Sequence, residues 1–168
     1  PVHLPIPQAR TLTGDPLRAV SPPRVVLDTN VCLDLFVYRD LHCAPLLAAL
    51  DSGAMQAVTS VACREEWLRV LHYPQFGIDD EQRQQVTQAF DAHVRLLDTA
   101  ALRPLDHVSL PLCSDADDQK FLQLAWAAQA AWLVTKDKAL LKLARRTRKA
   151  ALFAIGTPQA WAGAQTTS

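Results

Sequence analysis

The sequence has no excess of either charge, no paired cysteine motif and no long apolar run. Lysine plus arginine and aspartate plus glutamate number 17 each in 168 residues, so any nucleic-acid binding must rest on local charge. The four cysteines, Cys32, Cys43, Cys63 and Cys113, form no C-x-x-C pair, which argues against a disulfide framework or a zinc knuckle. No signal-like region and no apolar run near the roughly 20 residues of a membrane span is present. We therefore expect a cytoplasmic protein that does not enter a membrane.

Length and apolar content bound the domain organisation. At 168 residues, 49% of them hydrophobic, the chain can bury one core but is too short for two typical domains of roughly 100–200 residues each. Residues 1–23 hold six of the eleven prolines and show no sustained hydrophobic period, which is typical of an extended arm. We expect this proline-rich arm to precede one domain over residues 24–163.

The stretch RVVLDTN, residues 24–30, places polar groups directly after an apolar run. The run stops at Asp28, as expected where a buried parallel strand reaches the carboxyl edge of a sheet. In open α/β sheets that edge binds ligands. Asp28 can equally cap the following helix, since aspartate is a good N-cap. Acids in similar positions later in the chain favour the functional interpretation.

Strands and helices alternate through the rest of the chain. Short apolar runs predict strands at 55–59, 132–135 and 151–155, and a poorly patterned one within 99–108. Helices are predicted over 31–38, 41–50, 61–72, 79–97, 115–130 and 138–149, and after Pro158. This alternation implies right-handed crossovers. We expect a three-layer α/β/α fold with a central, mostly parallel sheet.

Several acids are predicted to lie at or near the carboxyl edge of this sheet. Asp28 and Asp137 follow strands, and Asp115 and Asp118 lie in the first turn of the helix that leads into the second of these strands. Glu66 shares its helix face with apolar residues, so it should point inward and needs a partner. That partner can be a core arginine or a backbone group, in which case Glu66 is structural.

Converging carboxylates repel one another, and such clusters persist mainly when a cation neutralises them. Oxygen donors favour hard metals, so the acids indicate Mg²⁺ or Mn²⁺ ahead of zinc. A phosphodiester suits such a site, because one metal can lower the pKa of a bound water and a second can stabilise the departing oxygen. Metal-dependent phosphodiester hydrolysis is therefore the predicted chemistry.

Four segments that contain these acids resemble, in order and spacing, the acidic motifs of the PIN domain family. They are VVLDTNV at 25–31, EEWLRVL at 65–71, DADDQKFLQLA at 115–125 and WLVTKDKALL at 132–141. The similarity covers about residues 24–160, and within the family it is greatest to the VapC-like toxins of toxin and antitoxin pairs. It implies a PIN-like fold and a magnesium-dependent ribonuclease, commonly a homodimer, with an antitoxin as partner.

The resemblance also assigns roles by position. Asp28, Glu66, Asp118 and Asp137 match the metal-binding acids, and Asn30 and Thr135 match the polar residues that orient them. Asp115 and Asp118 are three residues apart on one helix face. The sequence leaves open whether both of these aspartates reach the metal.

A run of basic residues broken by one acid lies beside the predicted site. Lys136, Lys138 and Arg145 in this run are candidates for binding the phosphate backbone of RNA. The alternative is a solvated helix face, since basic residues late in a helix also complement its dipole. The sequence favours neither interpretation.

Two other functions stay open. A haloacid-dehalogenase-like phosphatase has a similar topology, but its nucleophile motif requires a second aspartate two residues after the first, where this chain has Asn30. A non-catalytic PIN-like module that binds RNA or a partner protein would be expected to have lost acids. Here all four matching positions are acidic.

The apolar content also bears on assembly. Four tryptophans and several alanine-rich helical faces exceed what one sheet needs to cover. An exposed apolar patch marks a partner site. We therefore expect self-association, most simply as a homodimer.

Overall fold

A computed structural model of the chain describes residues 21–167, which form one five-stranded sheet. Its strands are β1 (Arg24–Leu27), β2 (Gln56–Thr59), β3 (Val94–Leu96), β4 (Trp132–Val134) and β5 (Ala154–Gly156). Their order is β3-β2-β1-β4-β5, and every neighbouring pair is parallel. The predicted parallel sheet is confirmed. The predicted arm lies, except for its last three residues, outside the described range.

Helices and tight helical turns connect the strands. The helices of the described residues are α1 (Thr29–Leu33), α2 (Ala44–Ser52), α3 (Val61–Val70), α4 (Asp80–His93), α5 (Gln119–Ala127), α6 (Lys138–Leu141), α7 (Ala144–Lys149) and α8 (Pro158–Gln165). A π-helical turn, Asp34–Tyr38, continues α1, and a 3-10 turn, Ala116–Asp118, precedes α5. None of the helices in this part of the chain has the length and apolar content of a membrane span.

The sheet is covered on both faces, which gives the predicted three layers. Successive strand residues face opposite sides, so Val25 of β1 packs into one core with Trp67 and Phe90, whereas Val26 packs into a second core with Phe121. Helices α1, α2, α4 and α8 contribute to the first core, and α5 and α6 to the second. The apolar character of β1 on both faces follows from its central position.

Two predicted elements near the middle of the chain are wrong. The helix predicted over 79–97 ends at His93, and residues 94–96 instead pair with β2 as β3. The strand predicted within 99–108 is absent from the described residues, which form a 3-10 turn at Thr99–Ala101 and a loop. A three-residue edge strand with two exposed side chains gives no readable period of two. The sequence therefore could not separate β3 from the helix before it.

Arg103 fixes the loop that follows β3. Its guanidinium lies 3.3 Å from the ring centre of Trp126, and its Nε donates to the Trp126 carbonyl oxygen over 2.8 Å. Its backbone N–H donates to the carbonyl of Ala127 over 2.9 Å. The Ala127 carbonyl thereby gains a partner outside the helix, and the Trp126 carbonyl, which also accepts the N–H of Gln129, gains a second one. The loop is thus anchored without a strand, and it leads to the acids that precede α5.

The strand order reverses at β1 and β4, and open α/β sheets commonly have a crevice beyond the carboxyl ends of such strands. The chain passes from β1 to β2 and β3 on one side, and then crosses to β4 and β5 on the other. Ligands bind in open α/β sheets at such a reversal of strand order. Asp28 follows β1 directly, and Thr135 follows β4. Two of the predicted site residues therefore lie at this switch point.

Candidate active site

Asp28 is buried at the end of β1 and is held by polar side chains. It is 4% exposed. Thr135 Oγ1 donates to Asp28 Oδ2 over 2.6 Å, and Asn30 Nδ2 donates to the same oxygen over 3.3 Å. Asp28 occupies the N-cap position of α1, but its side chain makes no capping hydrogen bond. Capping therefore does not explain this aspartate.

Thr135 also links Asp28 to the loop after β4. The hydroxyl oxygen that donates to Asp28 accepts the backbone N–H of Asp137 over 2.9 Å. Asp137 Oδ1 in turn caps α6 by accepting the N–H of Ala139 over 2.7 Å. Asn30 Oδ1 accepts the backbone N–H of Lys136 over 3.3 Å. Asn30 and Thr135 thus cross-link the ends of β1 and β4 around the two aspartates.

Asp115 and Asp118 differ in their surroundings although they are three residues apart. Asp115 is exposed, and its Oδ1 accepts the N–H of Asp117 over 3.0 Å. Asp118 is half-buried, and its Oδ2 is buried without a hydrogen-bond partner among the described residues. A buried carboxylate oxygen without a donor is unfavourable unless a ligand or cation completes it. Asp118 is therefore better placed than Asp115 to bind a cation.

Burial and repulsion raise the pKa values of two site acids. Burial raises the pKa of Asp28 to about 6 against the lowering effect of the Thr135 hydrogen bond, and the charges of Glu66 and Asp137 add to the rise. Burial likewise raises the pKa of Asp118 to about 7, and the largest charge effect on it comes from Asp28. The acids thus oppose one another's ionisation, as carboxylates that share a crevice do.

Glu66 points inward from α3, and both of its carboxylate oxygens have partners. Its side chain is 16% exposed. Thr29 Oγ1 donates to Oε2, and Lys120 Nζ lies 2.8 Å from Oε1. Burial by itself lowers the pKa of Lys120, but the hydrogen bond and charge of Glu66 outweigh it and raise this pKa above its ordinary value. The required partner of Glu66 is therefore a lysine and a threonine, not a core arginine.

Lys136 lies in an ion pair at the edge of the site. Its Nζ is 2.5 Å from Oδ2 of Asp34, a buried acid in the π-helical turn after α1. Because the backbone of Lys136 also bonds to Asn30, this residue ties the loop after β4 to the α1 segment. Its role as a substrate-binding residue stays a prediction.

The other basic residues after β4 form an exposed surface. We call Lys138, Lys142, Arg145, Arg146, Arg148 and Lys149 the basic surface; all six are exposed. The single helix predicted over 138–149 is in fact two, α6 and α7, joined at the buried Leu143. Within residues 21–167 the basic surface forms no ion pair with an acid. The positive charge of this surface, which begins directly after Asp137 in the chain, is therefore not neutralised by an ion pair among these residues.

The donor atoms suit a hard divalent cation, although they are not grouped as a finished metal site. In the described part of the chain, no three carboxylate, imidazole or thiol side chains are close enough together to hold a metal ion. Carboxylate and hydroxyl oxygens are nevertheless the ligands that Mg²⁺ and Mn²⁺ prefer. A divalent cation could bind the partnerless Oδ2 of Asp118 and offset the repulsion between this carboxylate and Asp28. The chemistry of these residues thus fits a divalent ion, with Glu66 currently held by an ammonium group.

The structure brings some predicted site residues together and leaves others apart. Asp28, Asn30, Thr135, Lys136 and Asp137 form one hydrogen-bonded set through side-chain and backbone groups. Glu66 and Asp118 interact with this set through charge. Asp115, Lys138 and Arg145 are exposed.

Sequence reasoning missed Lys120 and Asp34. Lys120 stands in the same motif as Asp118 and directly before the buried Phe121, but a lysine in the first turn of a helix is usually solvated. Asp34 lies between the apolar residues Leu33 and Leu35, and no turn-forming residue adjoins it. The oppositely charged partner of each residue is far away in the sequence, so no local sequence pattern predicts either ion pair.

Comparison with known proteins supports the family resemblance. The family model for the PIN domain matches residues 24–139, a range that includes all four predicted metal-binding acids. No curated protein sequence matches the chain. Among solved structures, VapBC2 from Rickettsia felis, bound to a DNA fragment from their promoter, is 17% identical with a TM-score of 0.48. That match covers 79% of this chain and 96% of the other.

Proposed function

Because the chain belongs to the PIN domain family, we propose that it is a metal-dependent ribonuclease. The observation that carries this proposal is the buried Asp28, which lies at the strand switch point and is fixed by Thr135. Asp118 faces the same acids with an unpartnered oxygen. If these carboxylates were structural, each would be expected to have a hydrogen-bond donor or a basic partner. In a cation-binding site, carboxylate oxygens without a protein partner are instead ligands for the cation.

The chain's own residues would hold and orient the ion. Asp28, Glu66, Asp118 and Asp137 would bind Mg²⁺ or Mn²⁺, which supplies the positive charge that acidifies an attacking water and neutralises the phosphate. Thr135 and Asn30 hold one oxygen of Asp28, which fixes the plane of its carboxylate. The capping bond to Ala139 fixes Asp137 in the same way. Preorganised donors of this kind need little rearrangement when substrate binds.

The proposed substrate is RNA, held through its backbone by the basic surface. Lys138 and Arg145 are exposed close to Asp137 in sequence. Phosphate contacts of this kind give affinity without base specificity, and they weaken as the salt concentration rises. The choice of RNA over DNA comes from the resemblance to VapC-like toxins, and so does the proposed role as the toxin of a toxin–antitoxin pair.

An antitoxin is the partner that this role implies. A cavity of about 420 Å³ opens between the π-helical turn, α2 and α4, and Leu35, Phe36 and Leu47 line it. The exposed Leu41 lies at its border. An amphipathic helix can bury its apolar face in such a groove. This apolar surface supports the proposal of a helical partner segment.

Cleavage of labelled RNA tests the proposed function. Single-stranded and hairpin RNAs would be incubated with the parent protein, with Asp118→Asn, and with Asp106→Asn as a control for an exposed acid outside the site. We expect the parent and the control to cleave in Mg²⁺ or Mn²⁺ but not in EDTA, and Asp118→Asn to lose about 100-fold or more in rate.

Two results of this assay would favour other functions. RNA binding without cleavage in any metal would favour a non-catalytic module. Release of phosphate from a phosphate monoester, with intact RNA, would favour the phosphatase. The presence of Asn30 two residues after Asp28 predicts that no such release occurs.

A further inference from the structure

One basic side chain lies inside the acidic site. The ammonium group of Lys120 is 2.8 Å from Oε1 of Glu66 and 2.8 Å from the carbonyl oxygen of Asp117. Its side chain is 24% exposed. Among residues 21–167, it is the lysine or arginine that forms an ion pair with a predicted metal ligand. The site therefore already contains a positive charge.

That charge occupies a position that a metal would need. Thr29 holds one oxygen of Glu66 and Lys120 holds the other, so this carboxylate has no oxygen without a partner. An ammonium group and a divalent ion repel strongly when they share a carboxylate in a partly buried site. A metal bound at Glu66 would therefore compete with Lys120 for this carboxylate.

We propose that Lys120 is an exchangeable internal cation, which pairs with Glu66 in the metal-free protein and is displaced from it when a divalent metal binds. This inference rests on the proposed metal site. It accounts for the orientation of Glu66, whose Oε1 contacts the lysine. It also makes Lys120 a determinant of metal affinity, since every binding event must break its ion pair.

Substitution of Lys120 tests the exchange directly. In Lys120→Met the competing charge is gone, so we expect Mn²⁺ to bind about tenfold more tightly or better, measured by titration calorimetry or by the EPR signal of free Mn²⁺. Lys120→Arg keeps the charge and should bind Mn²⁺ like the parent. The control is Arg69→Met, an exposed cation on the same helix as Glu66, whose removal changes the net charge equally and should leave the affinity unchanged.

A double-mutant cycle separates exchange at Glu66 from a general charge effect. In a Glu66→Gln background, Lys120→Met should have little further effect on Mn²⁺ affinity, because the pair is already broken. An equal gain in both backgrounds would overturn the exchange, and so would Mn²⁺ binding in Lys120→Met that is no tighter than in the parent. A parent protein that binds no Mn²⁺ at all would instead overturn the proposed function.

NMR of the parent protein provides a test that does not depend on the stability of a variant. The side-chain signal of Lys120, assigned by its loss in Lys120→Arg, should shift on titration with Mg²⁺ as the ion pair breaks. The signal of Lys142, an exposed lysine that forms no ion pair with the site acids, should keep its chemical shift. If Mg²⁺ binds and the Lys120 signal does not move, the exchange does not occur.

Discussion

The hydroxyl group of Thr135 donates to Asp28 across the two central strands, over 2.6 Å. The same oxygen accepts the backbone N–H of Asp137 over 2.9 Å. Thr135 is fully buried, so water cannot replace either bond. One hydroxyl therefore sets the relative position of two acids that come from different parts of the chain.

Loss of this hydroxyl should destabilise the protein. Thr135→Val keeps the shape but leaves Asp28 with only the longer bond from Asn30 and the N–H of Asp137 without its acceptor. We expect this loss to cost about 1–3 kcal/mol of unfolding free energy. Urea denaturation in chelator measures this change. Thr135→Ser retains the hydroxyl and should lose less. If Thr135→Val were as stable as the parent, the hydroxyl would not be what holds the two acids.

The raised pKa values make the metal-free stability depend on pH. Asp28 and Asp118 have native pKa values of about 6 and about 7, above their ordinary value of 3.8, so the native protein keeps protons that the unfolded chain releases. The part of the unfolding free energy that comes from protonated Asp28 and Asp118 is fully present below about pH 4, and it is lost as the pH rises through their native pKa values to about 7. One pKa unit corresponds to about 1.4 kcal/mol, so the rise of the Asp28 pKa from 3.8 to about 6 corresponds to on the order of 3 kcal/mol.

Comparison with Asp28→Asn isolates this contribution. Between pH 5 and pH 7.5, values set by the window above, the melting temperature of the parent in chelator should fall relative to that of Asp28→Asn, which cannot titrate at this position. A difference between the two proteins that stays constant with pH would show that Asp28 ionises normally.

The two aspartates before α5 should differ in importance. Asp118 has the unpartnered buried oxygen, whereas the Asp115 carboxylate is exposed and already bonded to a backbone N–H. We expect Asp118→Asn to weaken Mn²⁺ binding and RNA cleavage by about 100-fold, and Asp115→Asn by less than about tenfold. The reverse order of effects would exchange the roles of the two residues.

Self-association stays a prediction, but the tryptophans no longer support it, because they are buried or half-buried. Trp67 and Trp161 are buried and Trp126 and Trp132 are half-buried, so the tryptophans belong to the cores. The large apolar side chains that are exposed include Leu41, Val61, Leu96 and Leu112. Sedimentation velocity at micromolar concentration should show a dimer, and a monomer alone would mean that these residues serve another contact.

The sequence predicted those parts of the fold that local patterns determine. The apolar runs that end at Asp28 and before Asp137 are β1 and β4, because buried parallel strands are continuously apolar. The half-exposed edge strand β3 lacks that pattern, so the sequence alone predicts a continuation of the preceding helix there. An edge strand is defined mainly by the neighbour with which it pairs, and this neighbour is not visible in a local window.

The same distinction applies to the site. The acids could be predicted because each stands beside an element with a clear period. The role of Lys120 could not be predicted, because Glu66 is 54 positions away in the sequence. Only the packing of α3 against α5 brings the two side chains together. The pairing of Lys136 with Asp34 depends in the same way on the contact between β4 and β1.

We propose that the acids at the sheet edge serve to bind a metal and do not stabilise the fold. Asp28→Asn removes one charge at nearly constant shape, so without metal it should melt at the same or a higher temperature than the parent, while nuclease activity is lost. Mn²⁺ at about 100 times its Kd should stabilise the parent by about 2.7 kcal/mol, or about 5–10 °C, and should stabilise the variant much less.

Thermal melts of the parent and Asp28→Asn, each in chelator and in Mn²⁺, distinguish metal-binding acids from structural ones. We expect the parent to be the less stable or equal protein in chelator and the more strongly stabilised one in Mn²⁺. A variant that is strongly destabilised without metal, or a parent whose melting temperature does not respond to Mn²⁺, would mean that these acids are structural.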